Sequence, residues 1–522
     1  MTITRKSPLP VALLSLLLLN PSALTQGNKA GTGFSRSNLD ETCAPCQDFY
    51  RYANGGWLRR HPVPPTQSAW AQFNIVTESN FEKLRVILEA AAANRKDLAA
   101  LKTLTTNFSW ADYFGQIGHG ESITKIGEII VRQPDFFKRL DRELMAAPLA
   151  DWKAYLRWHA LRRFASALPA RFEDESFNFY GKYLRGSQEQ FPRWRRCVSS
   201  AGNAMRDALG ARYIEQRFPA EARTRMNSLV DNLLAALRED LATLDWMSAP
   251  TRAEALEKLA ALRVRIGRPE KWRDYAALKI ERGAYAANVM RTAQFLRQDN
   301  WDQLGRAVER GKWFVPAWTV DAFASDNAIF FPAGILQSPF FDFTGDDALN
   351  YGAIGAMIGH EITHHFDDVG RRFDAKGNLR DWWTAEDARN YAARAACIER
   401  QFSSYQAAEG VFHNGRLVLG EASSDLGGLK LALLAYRKSL AGKPAPPLID
   451  GFTGEQRFFL GFALMWAGNA RPEWERLRAQ TDPHPLARFR VNGTLANTPE
   501  FAAAFGCKPG EAMAREEKCE VW

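Results

Sequence analysis

The chain has 522 residues, 46% of them hydrophobic, with 16 Trp and 33 Phe. That composition excludes a disordered protein and is enough for a large core in two or more domains. Its 68 Lys and Arg against 59 Asp and Glu leave a formal charge of +9, but these cations are scattered. Small clusters such as Arg193-Trp194-Arg195-Arg196 form no compact basic domain, so no nucleic-acid partner is expected.

At the N-terminus, Arg5 and Lys6 precede an apolar run from Val11 to Leu19. The run is too short to span a bilayer and reads as a signal peptide over residues 1–25, with an imperfect cleavage site at Ser22-Ala23-Leu24-Thr25. The rival reading is a short buried or anchoring helix. No later segment resembles a transmembrane helix, so export to the periplasm or beyond is expected, without a stable membrane span. Six Cys suit an oxidising compartment, and the residues alone leave their pairing open. Cys43 and Cys46 have a redox-motif spacing but no thioredoxin-like context. Asn107-Phe108-Ser109 and Asn492-Gly493-Thr494 are glycosylation sequons. Further on, Pro219 to Ala242 and Thr251 to Val264 show helical periodicity with few breakers. There is no internal repeat and no low-complexity linker.

His360-Glu361-Ile362-Thr363-His364 carries the most chemistry. Positions i and i+4 share one helix face, so both imidazoles can reach one cation. This is the H-E-x-x-H zinc spacing, with the Glu as general base. Asp346 and Asp347 can cap the helix start, and Gly370 can stop it. Gly352, Gly355 and Gly359 weaken its propensity, so packing must hold it. A buried helix with two His and a Glu implies that those groups are paired or metal-bound. Downstream, Glu421 and Asp425 are again i and i+4. One carboxylate can complete a three-ligand zinc site with an open position, and the other can accept an N–H from a ligating His. The bland alternative is an acidic, solvated helix start.

With these residues in view, the chain resembles the neprilysin-type zinc metallopeptidases, a family that includes endothelin-converting enzyme and bacterial oligopeptidases. Met357 to His364 is similar to its V-I-G-H-E-I-T-H, and Gly420 to Asp425 to its G-E-N-I-A-D. Phe331 to Phe341, Gly377 to Thr384, Thr481 to His484, Phe489 to Leu495, Cys519 to Trp522, Cys46 to Tyr50 and Gly55-Gly56-Trp57 also match family motifs. The resemblance implies one zinc per chain, held by His360, His364 and Glu421, with Asp425 orienting a ligand. It implies Glu361 as general base, His484 as donor to the tetrahedral intermediate and Arg490 as donor to a substrate carbonyl. Asp321 and Ala322 would hold the substrate backbone. Phe340, Met357 and Trp466 would wall the pocket for the residue after the scissile bond. Read without the family, Phe340 and Trp466 are equally core aromatics, Arg490 an ion-pair partner and His484 a loop residue between two prolines. The resemblance also implies disulfides Cys46–Cys507 and Cys397–Cys519, leaving Cys197 free or paired with Cys43.

The chain departs from the family in three ways. Asp321 stands where the family has Asn, so an acceptor replaces a donor, and the loop before Phe331 is slightly short. Ala69 stands where neprilysin has an Arg able to meet a C-terminal carboxylate. The family match stops near Ala90 to Ala93 and resumes at Phe108 to Tyr113, so much of the helical lobe is missing.

The resemblance therefore implies a mainly α fold with a small β component. Its parts would be an N-terminal segment (40–80) packed on the catalytic domain, a reduced helical lobe (81–299) and a thermolysin-like zinc peptidase domain (300–522). The implied protein is a monomeric, exported endopeptidase that cleaves oligopeptides before hydrophobic residues. The alternative is a catalytically impaired protein that keeps the zinc fold and binds peptides or partners.

Overall fold

The computed structural model describes residues 34–91, 133–283, 285–309 and 311–522. The expected signal peptide, the sequon at Asn107 and the segment Phe108 to Tyr113 lie outside them.

Helices dominate, and the strands are short. The elements that shape the site are α1 (Phe49–Arg60), α2 (Gln72–Ala91), α3 (Ala220–Thr243), α4 (Ala249–Ala261), α5 (Ala356–Thr363), α6 (Leu419–Ser439), α7 (Gly454–Met465) and α8 (Ala487–Leu495). The strands are β1 (Ala69–Ala71), β2 (Arg263–Gly267), β3 (Phe323–Ser325), β4 (Ala328–Pro332), β5 (Gln406–Ala408), β6 (Val411–Phe412) and β7 (Gly468–Ala470). β2 and β4 run parallel, and β3 pairs antiparallel with β4, so β3 is an edge strand. β1 pairs antiparallel with β7.

The N-terminal segment is built into the C-terminal half. Asp48 caps α1 by accepting from the Arg51 N–H, which satisfies an orphan donor of the first turn. The Phe49 ring lies 4.7 Å from Phe501 and 4.8 Å from Phe505. Asn54 donates to the Ala463 carbonyl at 2.9 Å, and the Tyr50 hydroxyl to that of Gly468 at 2.7 Å. Cys46–Cys507 ties the same ends together, and Cys397–Cys519 closes the C-terminus. These are the two pairs the resemblance implies. Cys43 and Cys197 are free thiols, so their mutual pairing is not formed.

One large apolar core joins Phe49 and Ala53 to Met226, Leu233 and Leu237 of α3, Ile358 of α5, Leu431 of α6, Phe458 of α7 and Val491 of α8. Ile266 of β2 belongs to it as well. The core that holds α5 to α8 thus takes in α3 as well. Periodic apolar residues show that α3 buries a face, but not which partner it faces. A smaller core joins Leu84 of α2 with Val198, Leu209, Tyr213, Ala317 and Trp318. The helices Pro134–Ala146 and Leu149–Phe164 have no buried residue. Among the described residues, no helix is long and apolar enough to cross a membrane.

Phe49 has no exposed surface. Phe49→Ala is expected to destabilise the protein by about 3–5 kcal/mol, the usual cost of emptying an aromatic site. Denaturant unfolding should show this as a lower midpoint; an unchanged midpoint would mean that the N-terminal segment is not integral to the core.

Candidate active site

The site depends on two helices that cross in backbone contact. The Asp346 side chain accepts from the Ala348 N–H and starts a helical run. That run passes through a π-helical turn at Tyr351–Gly355 into α5. Every residue of α5 is buried. A Cβ on Gly359 would lie 2.5 Å from the Gly428 carbonyl oxygen, and one on Gly428 would lie 2.3 Å from the His360 nitrogen. Neither contact tolerates a side chain, so glycine at both positions sets how closely α5 and α6 approach. The low helix propensity of glycine is the local cost of that crossing.

At this crossing Glu421 and Asp425, one turn apart on α6, face the two His of α5. His360 Nδ1 lies 2.9 Å from Asp425 Oδ1. His364 Nδ1 lies 2.8 Å from Asp367 Oδ2 and 3.1 Å from Ser424 Oγ. Each ring thus directs its Nδ1–H to a carboxylate, which leaves the Nε2 lone pair facing the other way. The two Nε2 atoms are 2.9 Å apart. Glu421 Oε2 is 3.1 Å from His360 Nε2, and Glu421 Oε1 is 3.5 Å from His364 Nε2. Two lone pairs and a carboxylate turned on one another repel unless a cation lies between them. The candidate ligand atoms lie within 4.8 Å of one another, a span that fits zinc with ligand distances of about 2.0–2.2 Å. His, His and Glu also leave the fourth position of a catalytic site open.

The electrostatics agree with that fit. Burial alone would raise the Glu421 carboxyl, but the two imidazoles hold it well below the carboxylate range. Burial opposes charge on His364, yet Asp367 and Glu421 push its pKa well above the ordinary value. The pocket is built to hold positive charge. Burial raises the Glu361 carboxyl, with Asp321 and Glu421 adding to the rise against the imidazoles. A carboxyl in that condition can both accept and return a proton.

A cleft of about 1670 Å³ opens over this centre, larger than the usual small-molecule pocket of about 300–1,000 Å³. His360, Glu361, His364, Glu421 and Asp425 line it, as do Asp321, Ala322, Met357, Trp466, His484 and Arg490. His484 Nε2 is 3.3 Å from Glu421 Oε2, and its Nδ1 is 2.6 Å from Asp482 Oδ1. Arg490 donates through Nε and Nη2 to Asp425 at 2.7 and 2.6 Å and stacks 4.0 Å from the Trp466 ring centroid. The ion pair considered for Arg490 is formed: Asp425 fixes the buried guanidinium at the cleft lining. Asp321 accepts the Ala322 N–H at 3.0 Å and forms no ion pair among the described residues. Phe340 has no exposed surface, and its ring centroid lies 4.6 Å from that of Phe73, which lines the cleft.

Three residues of the site escaped the sequence reading. Asp367 and Ser424 orient His364, and Asp482 orients His484. Asp367 lies three residues after His364, a same-face spacing that was available as a signal. Asp482 lies inside a quoted motif. Ser424 has no signal apart from its place between Glu421 and Asp425.

Models of "Peptidase family M13" match residues 322–521 and, for the N-terminal part, 45–100 and 90–269. Neprilysin-3 of Drosophila melanogaster is 35% identical over 453 residues, covering 83% of this chain and 57% of that protein. Human endothelin-converting enzyme 1 is 35% identical over 440 residues, covering 81% and 56%. The chain thus spans little more than half the length of these curated relatives. Among solved structures, the Mycobacterium tuberculosis zinc metalloprotease Zmp1 in complex with an inhibitor superposes with a TM-score of 0.84 at 28% identity. That match covers 94% of this chain and 100% of the other.

Metal analysis of the purified protein is expected to find one equivalent of zinc, and His364→Ala to find none. Stoichiometric zinc in His364→Ala would remove that residue from the ligand set.

Proposed function

The chain belongs to peptidase family M13, and from that membership we propose that it is an exported zinc metalloendopeptidase acting on oligopeptides. The fold is the mainly α, thermolysin-like fold of that family. The observation that carries the reading is the convergence of His360, His364 and Glu421 with Glu361 and His484 on one cleft. Zinc held there would lower the pKa of a water and polarise a peptide carbonyl. Glu361 would take the proton of that water and pass it to the leaving nitrogen. His484, aimed by Asp482, would donate to the carbonyl oxygen as negative charge develops on it. Arg490, held by Asp425, would donate to a neighbouring carbonyl of the substrate. The edge strand β3 lies along the cleft and offers unpaired backbone groups to an extended peptide.

Two features bear on substrate choice. Phe73, Met357, Phe462, Met465 and Trp466 supply an apolar patch in the cleft, which supports cleavage before a hydrophobic residue. Among the described residues, none between Ile75 and Glu257 lines the cleft, which supports a cleft open on that side. Ala69, on β1 at the cleft edge, offers no cation to a free C-terminus. Export is supported by the two disulfides. The alternative, a protein that binds peptides without cutting them, draws on Asp321 and the reduced lobe; turnover separates the two.

Glu361→Gln should retain zinc and lose about 10²–10⁴-fold in kcat, because the amide accepts no proton. Full turnover by the zinc-loaded variant would end the general-base assignment. His484→Ala should lower kcat by about 10²–10³ with little change in KM, as for other oxyanion donors. Peptides with a free and an amidated C-terminus should be cut at similar rates; a strong preference for a short free acid would contradict the open cleft.

A further inference from the structure

Lys258 lies far from the metal-site motifs in sequence, on α4, and only 2% of its surface is exposed. A buried ammonium needs partners, and this one finds them in the loop that follows the H-E-x-x-H helix. Nζ donates to the Gly370 carbonyl at 2.7 Å and to the Phe373 carbonyl at 2.6 Å. It also faces the rings of Phe366 and Trp382, with centroids 5.9 and 5.5 Å away. Burial lowers its pKa to about 8, with Asp367 and Asp374 opposing the fall, so it is charged at neutral pH.

The same loop fixes Asp367. Its Oδ1 accepts from the N–H groups of Val369 and Gly370 at 2.9 and 2.8 Å, and its Oδ2 faces His364 Nδ1. Gly370 packs directly on the end of the motif helix: a Cβ there would lie 2.2 Å from the His364 carbonyl oxygen. The chain of contacts runs from Lys258 through the loop carbonyls and the loop N–H groups to Asp367 and then to His364. Asp367 in turn decides which nitrogen of His364 is free for a ligand bond. Replacing the ammonium removes both of its hydrogen bonds to the loop that presents Asp367.

We propose that Lys258 is a positioning residue for the metal site, acting through the Gly370–Phe373 loop and Asp367 on His364. It rests on the reading of His360, His364 and Glu421 as zinc ligands. It adds that the N-terminal half of the chain tunes zinc affinity without touching the metal.

The test is zinc affinity, measured by competition with a chelator of known strength. The parent protein comes first: failure to bind one zinc would overturn the functional reading itself. Lys258→Met removes the donors at similar length and should weaken zinc binding by about tenfold or more, the scale of outer-shell losses in other zinc sites. In an Asp367→Ala background the same change should cost less than about twofold, because coupled residues do not add. A dissociation constant within about twofold of the parent, or an undiminished loss in the Asp367→Ala background, would overturn the proposal. Circular dichroism of the zinc-free variants checks folding. If Lys258→Met is not folded, Lys258→Leu, smaller and also without a donor, is read in both backgrounds by the same criteria.

Discussion

The backbone contact between α5 and α6 is the constraint on which the site depends. With Gly359 against the Gly428 carbonyl, two helices from distant parts of the sequence approach until His360, His364 and Glu421 share one point. A methyl group at either glycine would push the helices apart by more than a ligand bond can stretch. The glycines lower helix propensity, and the buried faces of α3, α6 and α7 supply the packing that offsets this.

Around that point, charge is arranged in closed pairs. Asp425 lies between His360 and Arg490, Asp367 between His364 and its own loop, and Asp482 beside His484. Asp425 and Asp367 sit where an unpaired charge would be costly. Each also fixes an orientation: the tautomer of a His, or the aim of a guanidinium. The carboxylates that look redundant in a count of acidic residues are the reason the nitrogens point where they do.

The cleft is walled by segments remote in sequence. β1 pairs with β7, and residues of both line it, as do those of β3. The N-terminal segment is therefore part of the cleft wall. The smaller core around Leu84 of α2, Val198 and Leu209 contributes no residue to the lining.

The sequence by itself determined the relations that lie within one helix. The i, i+4 spacing put His360 with His364 and Glu421 with Asp425, and the Asp346 cap marked where the first of those helices begins. Tertiary structure alone decided relations between helices and depth below the surface. It turned Glu421 toward both Nε2 atoms and Asp425 toward His360 and Arg490, a choice that spacing left open. It buried Phe340 against Phe73, joined α3 to the core beneath these helices, and brought Lys258 to the loop after the motif. The physical reason is that a helix fixes the geometry of neighbours three and four residues apart through its own hydrogen bonds. Which face meets which, and at what distance, follows from packing among side chains hundreds of residues apart, where a single missing Cβ sets the approach.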